Sequence, residues 1–220
     1  ASYVDDPALR ERLETAARDA WKRISPLDEA LPRQATHLDL TDANVVVSRV
    51  DGAPHPDGII DFGDLCHTWA VSELAITASA VLGHPGTGPA SILPAVRAFH
   101  AVRPLSAADA QALWPMVVLR AAVLIASGAQ QAVLDPENDY LTEQSDAERR
   151  IFEVATSIPM EVMTALIAAE LGFSQPRAPI PVQVPIIDVD PGRVATLDLS
   201  TTSDAYDDAF DDAGVLSPDV

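Results

Sequence analysis

His37, Asp39 and Asn44 form the array H-x-D-x-x-x-x-N within QATHLDLTDANVVV, and Asp61 follows in I-D-F-G-D, seventeen residues beyond Asn44. One carboxylate that can face a hydroxyl, with an amide and a second carboxylate as hard oxygen donors, is the set that phosphoryl transfer requires. That reaction needs a carboxylate at the attacking hydroxyl and oxygen ligands for the magnesium ions that bridge nucleotide phosphates. In such chemistry Asp39 orients or deprotonates the acceptor hydroxyl, Asn44 and Asp61 ligate Mg2+, and His37 supports the loop through hydrogen bonds. Each half alone carries little, since H-x-D is common and a carboxylate at a strand end often caps the next helix. Their order and spacing carry more. The β-type runs 44–50 and 58–61, joined by the turn-rich DGAPHPDG of 51–58, have the length of a hairpin that returns Asp61 beside Asp39 and Asn44.

The surrounding elements are mostly helical. Leu9, Leu13, Ala16, Ala17, Ala20 and Trp21 mark one apolar face of a helix over 5–24, which Pro26 and Pro32 close. A further short β-type run covers 35–37. From Thr68 onward the periodicity is helical, over 69–82, 90–102, 107–133, 147–157 and 161–171. The fold class expected is therefore α+β, mostly α-helical, with a small β-hairpin sheet carrying the catalytic loop. Residues 174–220 differ, with six prolines, nine aspartates and two basic residues. They read as a Pro/Asp-rich linker and acidic tail behind a domain of residues 1–173.

Composition narrows the function classes. A net charge of −19 across 220 residues argues against binding a nucleic-acid backbone, which needs a basic face. Cys66 is the single cysteine, so no internal disulfide forms and a secreted disulfide scaffold is excluded. The apolar stretch 112–126 is interrupted by Pro115 and Arg120 and reads as too short for a membrane span. With no signal-peptide pattern at the start, a cytoplasmic location without membrane partners is expected.

The quoted segments resemble the C-terminal lobe of the aminoglycoside phosphotransferase and choline kinase family, which is protein-kinase-like. I-D-F-G-D running into TWAVSELAITASAVL (68–82) is most similar to its hydroxylysine-kinase-like branch. The resemblance spans about residues 5–172. It implies that Asp39 matches the catalytic base and that Asn44 and Asp61 match the magnesium ligands. It further implies ATP and Mg2+ as cofactors and a small, amine-bearing metabolite or aminoglycoside-like compound as acceptor. Domains of this branch also occur fused ahead of metallopeptidase-like and class III aminotransferase domains, and the segment after 173 is similar to such a linker.

Two departures from the family pattern stand out. Leu38 occupies the usual glycine position between the histidine and the aspartate, a costly choice if the backbone there has positive φ. Lys22 is the only lysine and lies in a helical pattern rather than a strand. The N-lobe, with its nucleotide-clamping strand lysine and covering loop, is thus expected to be absent. The chain reads as a fragment of a larger multidomain protein, inactive alone, with the missing lobe and further domains as partners. The rival reading is a non-catalytic kinase-like scaffold or regulatory module. A metal-dependent hydrolase using His37 and Asp39 lacks a third ligand motif. Among other residues, Glu73 and Arg120 are expected in buried or half-buried ion pairs, and Trp69 and Trp114 in the core. Cys66 is expected to be small and buried, GHPGTG (83–88) to be a turn, and Asp64 either to cap the next helix or to face the site.

Overall fold

The computed structural model describes residues 1–135 and 140–173, the side chains of 140–144 aside. The tail expected over 174–220 and its boundary at 173 fall at or beyond the end of these residues. Helix α1 spans Pro7–Ile24; the Asp6 side chain accepts from the N–H groups of Ala8 and Leu9, and Pro7 starts the helix where no donor is needed. Its buried face is Leu9, Leu13, Ala20 and Ile24, whereas Trp21 lies half in solvent against Trp69. A 3-10 turn over Ser25–Ala30 follows.

Four short strands come next: β1 (Arg33–Thr36), β2 (Val45–Val50), β3 (Ala53–Ile59) and β4 (Cys66–Trp69). They form two separate antiparallel pairs, β1 with β4 and β2 with β3, instead of the single hairpin sheet expected. The β2–β3 turn is also tighter than 51–58. Val50 pairs with Ala53, so only Asp51 and Gly52 turn, at φ 51° and 81°, as a two-residue Asp-Gly hairpin requires. Pro54 and Pro56 sit within β3, which a two-stranded sheet permits because each strand is an edge, and a register shift at Val46/Val47 lies opposite Pro56. Residues 68–69, where the helical pattern was expected to begin, are the end of β4 because they pair with β1.

Helices α2 (Val71–Leu82), α3 (Leu93–Val102), α4 (Ala107–Leu134), α5 (Tyr140–Thr156) and α6 (Met160–Glu170) complete the fold. Ser106 and Asp109 cap α4 reciprocally. Helix α4 is the central element, packing against α1, α2, α5 and α6 through Leu113, Trp114, Val117 and Ala121, all fully buried. By length and composition α4 is sufficient to cross a membrane, which corrects the reading of 112–126 as too short; half of its most apolar window is buried inside the fold. Trp114 is in the core as expected, but Trp69 is only partly buried, donating from Nε1 to Asp28 at 2.8 Å under the Arg33 guanidinium.

Candidate active site

The nested strand pairing places two loops side by side. Residues 37–44 leave β1 and enter β2, while residues 60–65 leave β3 and enter β4. Ile60 joins them twice, donating its N–H to Asn44 O at 3.1 Å and accepting from His37 Nε2 at 2.8 Å. His37 Nδ1 in turn accepts the Asp39 N–H at 3.3 Å, so the ring carries its proton on Nε2. The Phe62 ring meets the imidazole edge-on at 4.9 Å. His37 is buried and held on three sides, the geometry of a loop support.

Helix α2 grips the first loop from below. Glu73 Oε2 accepts the backbone N–H of both His37 and Leu38, and Thr77, one turn on, donates to Leu40 O at 2.9 Å. Glu73 therefore serves backbone donors rather than the ion pair expected; its Oε1 is buried with no partner among the described residues. Between these anchors Leu38 adopts φ +65°, the left-handed conformation that makes a leucine costly by about 1–2 kcal/mol. Asp61 shares this strain at φ +60°.

Asp39, Asn44 and Asp61 line one cleft of about 530 Å³, together with His84, Arg120 and Glu148. Asn44 Nδ2 donates to Asp39 Oδ2 at 2.9 Å and to Asp39 O at 2.8 Å, which leaves the amide oxygen outside that pair. Asp39 Oδ1 accepts from Arg120 Nη2 at 3.1 Å. Both carboxylate oxygens of Asp39 are thus fixed in direction, each with a remaining lone pair. Asp61 is exposed, and its Oδ1 accepts the Gly63 N–H at 3.3 Å. An amide oxygen and one exposed carboxylate suit Mg2+, which takes one or two protein oxygens and completes its shell with phosphates and water. No group of three His, Cys, Asp or Glu forms a self-sufficient metal cage among the described residues.

Arg120 meets the expectation of a half-buried ion pair, with Asp39 as the partner. Glu148, on α5, was not singled out from the sequence, because nothing in its local pattern brings α5 over the catalytic loop. Its carboxyl lies against Gly128 of α4, where a Cβ would stand 2.8 Å from Oε2. Desolvation pushes its pKa up to about 7 against the opposing field of Arg120. His84, in the turn after α2, faces Asp42 at 3.6 Å on the cleft rim. GHPGTG is a turn between helices, as expected, with Gly83 and His84 on that rim. Asp64 neither caps α2, which has no side-chain cap, nor lines the cleft. Cys66 is exposed on β4 rather than buried.

A carboxylate steered by two donors beside an oxygen-rich cleft is chemically suited to phosphoryl transfer, and comparison with known proteins gives similarities to phosphotransferases. Residues 1–103 match the phosphotransferase enzyme family (APH), a stretch that includes Asp39, Asn44 and Asp61. Among individual proteins, the chain is similar to homoserine kinase of Pseudomonas aeruginosa, 34% identical over 122 residues that cover 53% of this chain and 37% of the relative. It is also similar to hydroxylysine kinase of Mus musculus, 33% identical over 112 residues that cover 48% of this chain and 30% of the relative. The chain thus spans about a third of the length of these curated relatives. No solved structure matches it.

Proposed function

We propose that this chain forms the acceptor- and metal-binding part of a kinase that transfers the γ-phosphate of ATP to a hydroxyl of a small, amine-bearing metabolite. The observation that carries this reading is the convergence of Asp39, Asn44 and Asp61 on one cleft. Asp39 receives the acceptor hydroxyl on a carboxylate lone pair that Arg120 and Asn44 leave unused, and takes up its proton as the oxygen attacks. Asn44 and Asp61 would hold Mg2+, which neutralises charge on the nucleotide phosphates when bound. His37, Glu73 and Thr77 keep the loop in place while this happens. The names of the two relatives, homoserine kinase and hydroxylysine kinase, support a hydroxyl acceptor that also bears an amine.

Lys22, the only lysine, projects from α1 and not from a strand, so the lysine that pairs the α/β-phosphates in kinases must come from outside these residues. The chain alone is accordingly proposed to transfer phosphate poorly. A cytoplasmic setting, where ATP is abundant, fits this reading. The strained Leu38 favours a second reading, a kinase-like scaffold that no longer turns over. The two separate in an assay of phosphate transfer from Mg-ATP to L-homoserine and to hydroxylysine by the longest protein that contains this chain. Asp39→Asn is expected to cut kcat by about 100-fold or more; no transfer by the parent protein to either compound would favour the scaffold.

A further inference from the structure

Inside the cleft, one guanidinium and one carboxyl stand close enough to feel each other but form no ion pair among the described residues. Arg120 reaches in from the middle of α4 with a single hydrogen bond, from Nη2 to Asp39 Oδ1. Its Nη1 has no partner among the described residues, and its Nε is buried without one. A guanidinium presents five donors in a rigid fork, so the bond to Asp39 leaves an edge available for a second carboxylate. Glu148 approaches from α5 and settles over Gly128, where a Cβ would stand 2.8 Å from Oε2 and displace the carboxyl. The same carboxyl borders a neighbouring cleft with Asp5, Asp6, Asp135 and Arg149, where acidic groups outnumber basic ones. Its desolvation penalises the ionised form more than the nearby Arg120 favours it, a cost that an arriving ammonium would offset.

Resting on the phosphotransferase reading above, we propose that Arg120 and Glu148 make this cleft a receptor for zwitterionic hydroxy amino acids, Arg120 taking the α-carboxylate and Glu148 the α-ammonium. The hydroxyl is then delivered to Asp39, whose Oδ1 is tied to the same guanidinium that holds the carboxylate. One side chain thereby sets both the base and the acceptor. A neutral sugar hydroxyl or a plain amino alcohol would use only part of this set.

The test is binding rather than turnover. The 220-residue chain is titrated with L-homoserine, with 3-aminopropan-1-ol, which lacks the carboxylate, and with 4-hydroxybutanoate, which lacks the amine. L-homoserine is expected to bind roughly tenfold to a hundredfold more tightly than either analogue, the worth of one charge-assisted contact. Arg120→Met should erase the preference over 3-aminopropan-1-ol, Arg120→Lys should restore part of it, and Glu148→Gln should erase the preference over 4-hydroxybutanoate. Equal affinities for the three compounds, no binding of any of them, or preferences that survive the substitutions would overturn the proposal. The comparison on the unaltered chain stands even if a variant does not fold. Loss of discrimination with Mn2+ binding at Asn44 and Asp61 intact would strike this inference and leave the phosphotransferase reading in place.

Discussion

Glu148 should make the protein less stable as the pH rises from 5 to 8, and Glu148→Gln should remove that loss. Burial lifts the carboxyl from 4.5 to about 7 in the folded state. Between those values the folded protein keeps a proton that the unfolded chain has already released. Stability contributed by the neutral carboxyl is therefore full below about 4.5 and lost as the pH climbs through 7. At full weight such a displacement corresponds to about 3 kcal/mol. The side chain is only half-buried, so solvent screening reduces this to roughly 1–2 kcal/mol. An amide cannot ionise and avoids the penalty. Urea unfolding of both proteins at pH 5.0 and 8.0 measures it: near-equal stabilities at pH 5.0, with the variant ahead by about 1–2 kcal/mol at pH 8.0. A difference that stays constant across this range would refute the reasoning, because then no proton is bound differently by the two states.

Backbone effects supply further tests. Leu38→Gly should leave stability within about 1 kcal/mol of the original, since relief of the left-handed strain offsets the lost side-chain contact. Leu38→Val should cost about 2 kcal/mol, because a β-branched residue is worse still at φ +65°; equal effects in chemical denaturation would contradict the strain argument. Glu73→Ala strands two part-buried backbone N–H groups and should cost about 1–3 kcal/mol, while Glu73→Gln keeps an acceptor oxygen and should cost less than half as much. Hydrogen exchange at the His37 and Leu38 amides should accelerate in the alanine variant; unchanged protection there would show that Glu73 is not their partner. Ser106→Ala breaks the reciprocal cap of α4 and should lower stability by about 1 kcal/mol, read from the unfolding midpoint.

The helical part of the fold was legible because α1 and the later helices carry apolar residues at helical spacing, and Gly or Pro separates them. The strand pairing was less so. Nothing local in CHTW marks it as strand; pairing with β1, thirty residues earlier, does. For the same reason the hairpin loop looked longer than it is, since two prolines read as turn residues although an edge strand accepts them. Asp39, Asn44 and Asp61 were singled out from order and spacing, and they line a common cleft. Arg120 was recognisable as a charge on an apolar helix, but its partner, 81 residues away, was not. Glu148 gave no signal, because its significance comes from α5 lying across α4 at Gly128. Leu38 was flagged by type, and its positive φ is present.

Divalent-cation binding at the cleft bears most directly on whether these side chains form a phosphotransfer site. Mn2+ added as a paramagnetic stand-in for Mg2+ to the isotopically labelled 220-residue chain should broaden amide signals of residues 39–44 and 60–63 before any others. Asp61→Asn and Asn44→Ala should each weaken that broadening at least tenfold in Mn2+ concentration. Broadening centred elsewhere, for instance on the acidic residues after 200, or broadening at the cleft that both substitutions leave unchanged, would contradict the assignment.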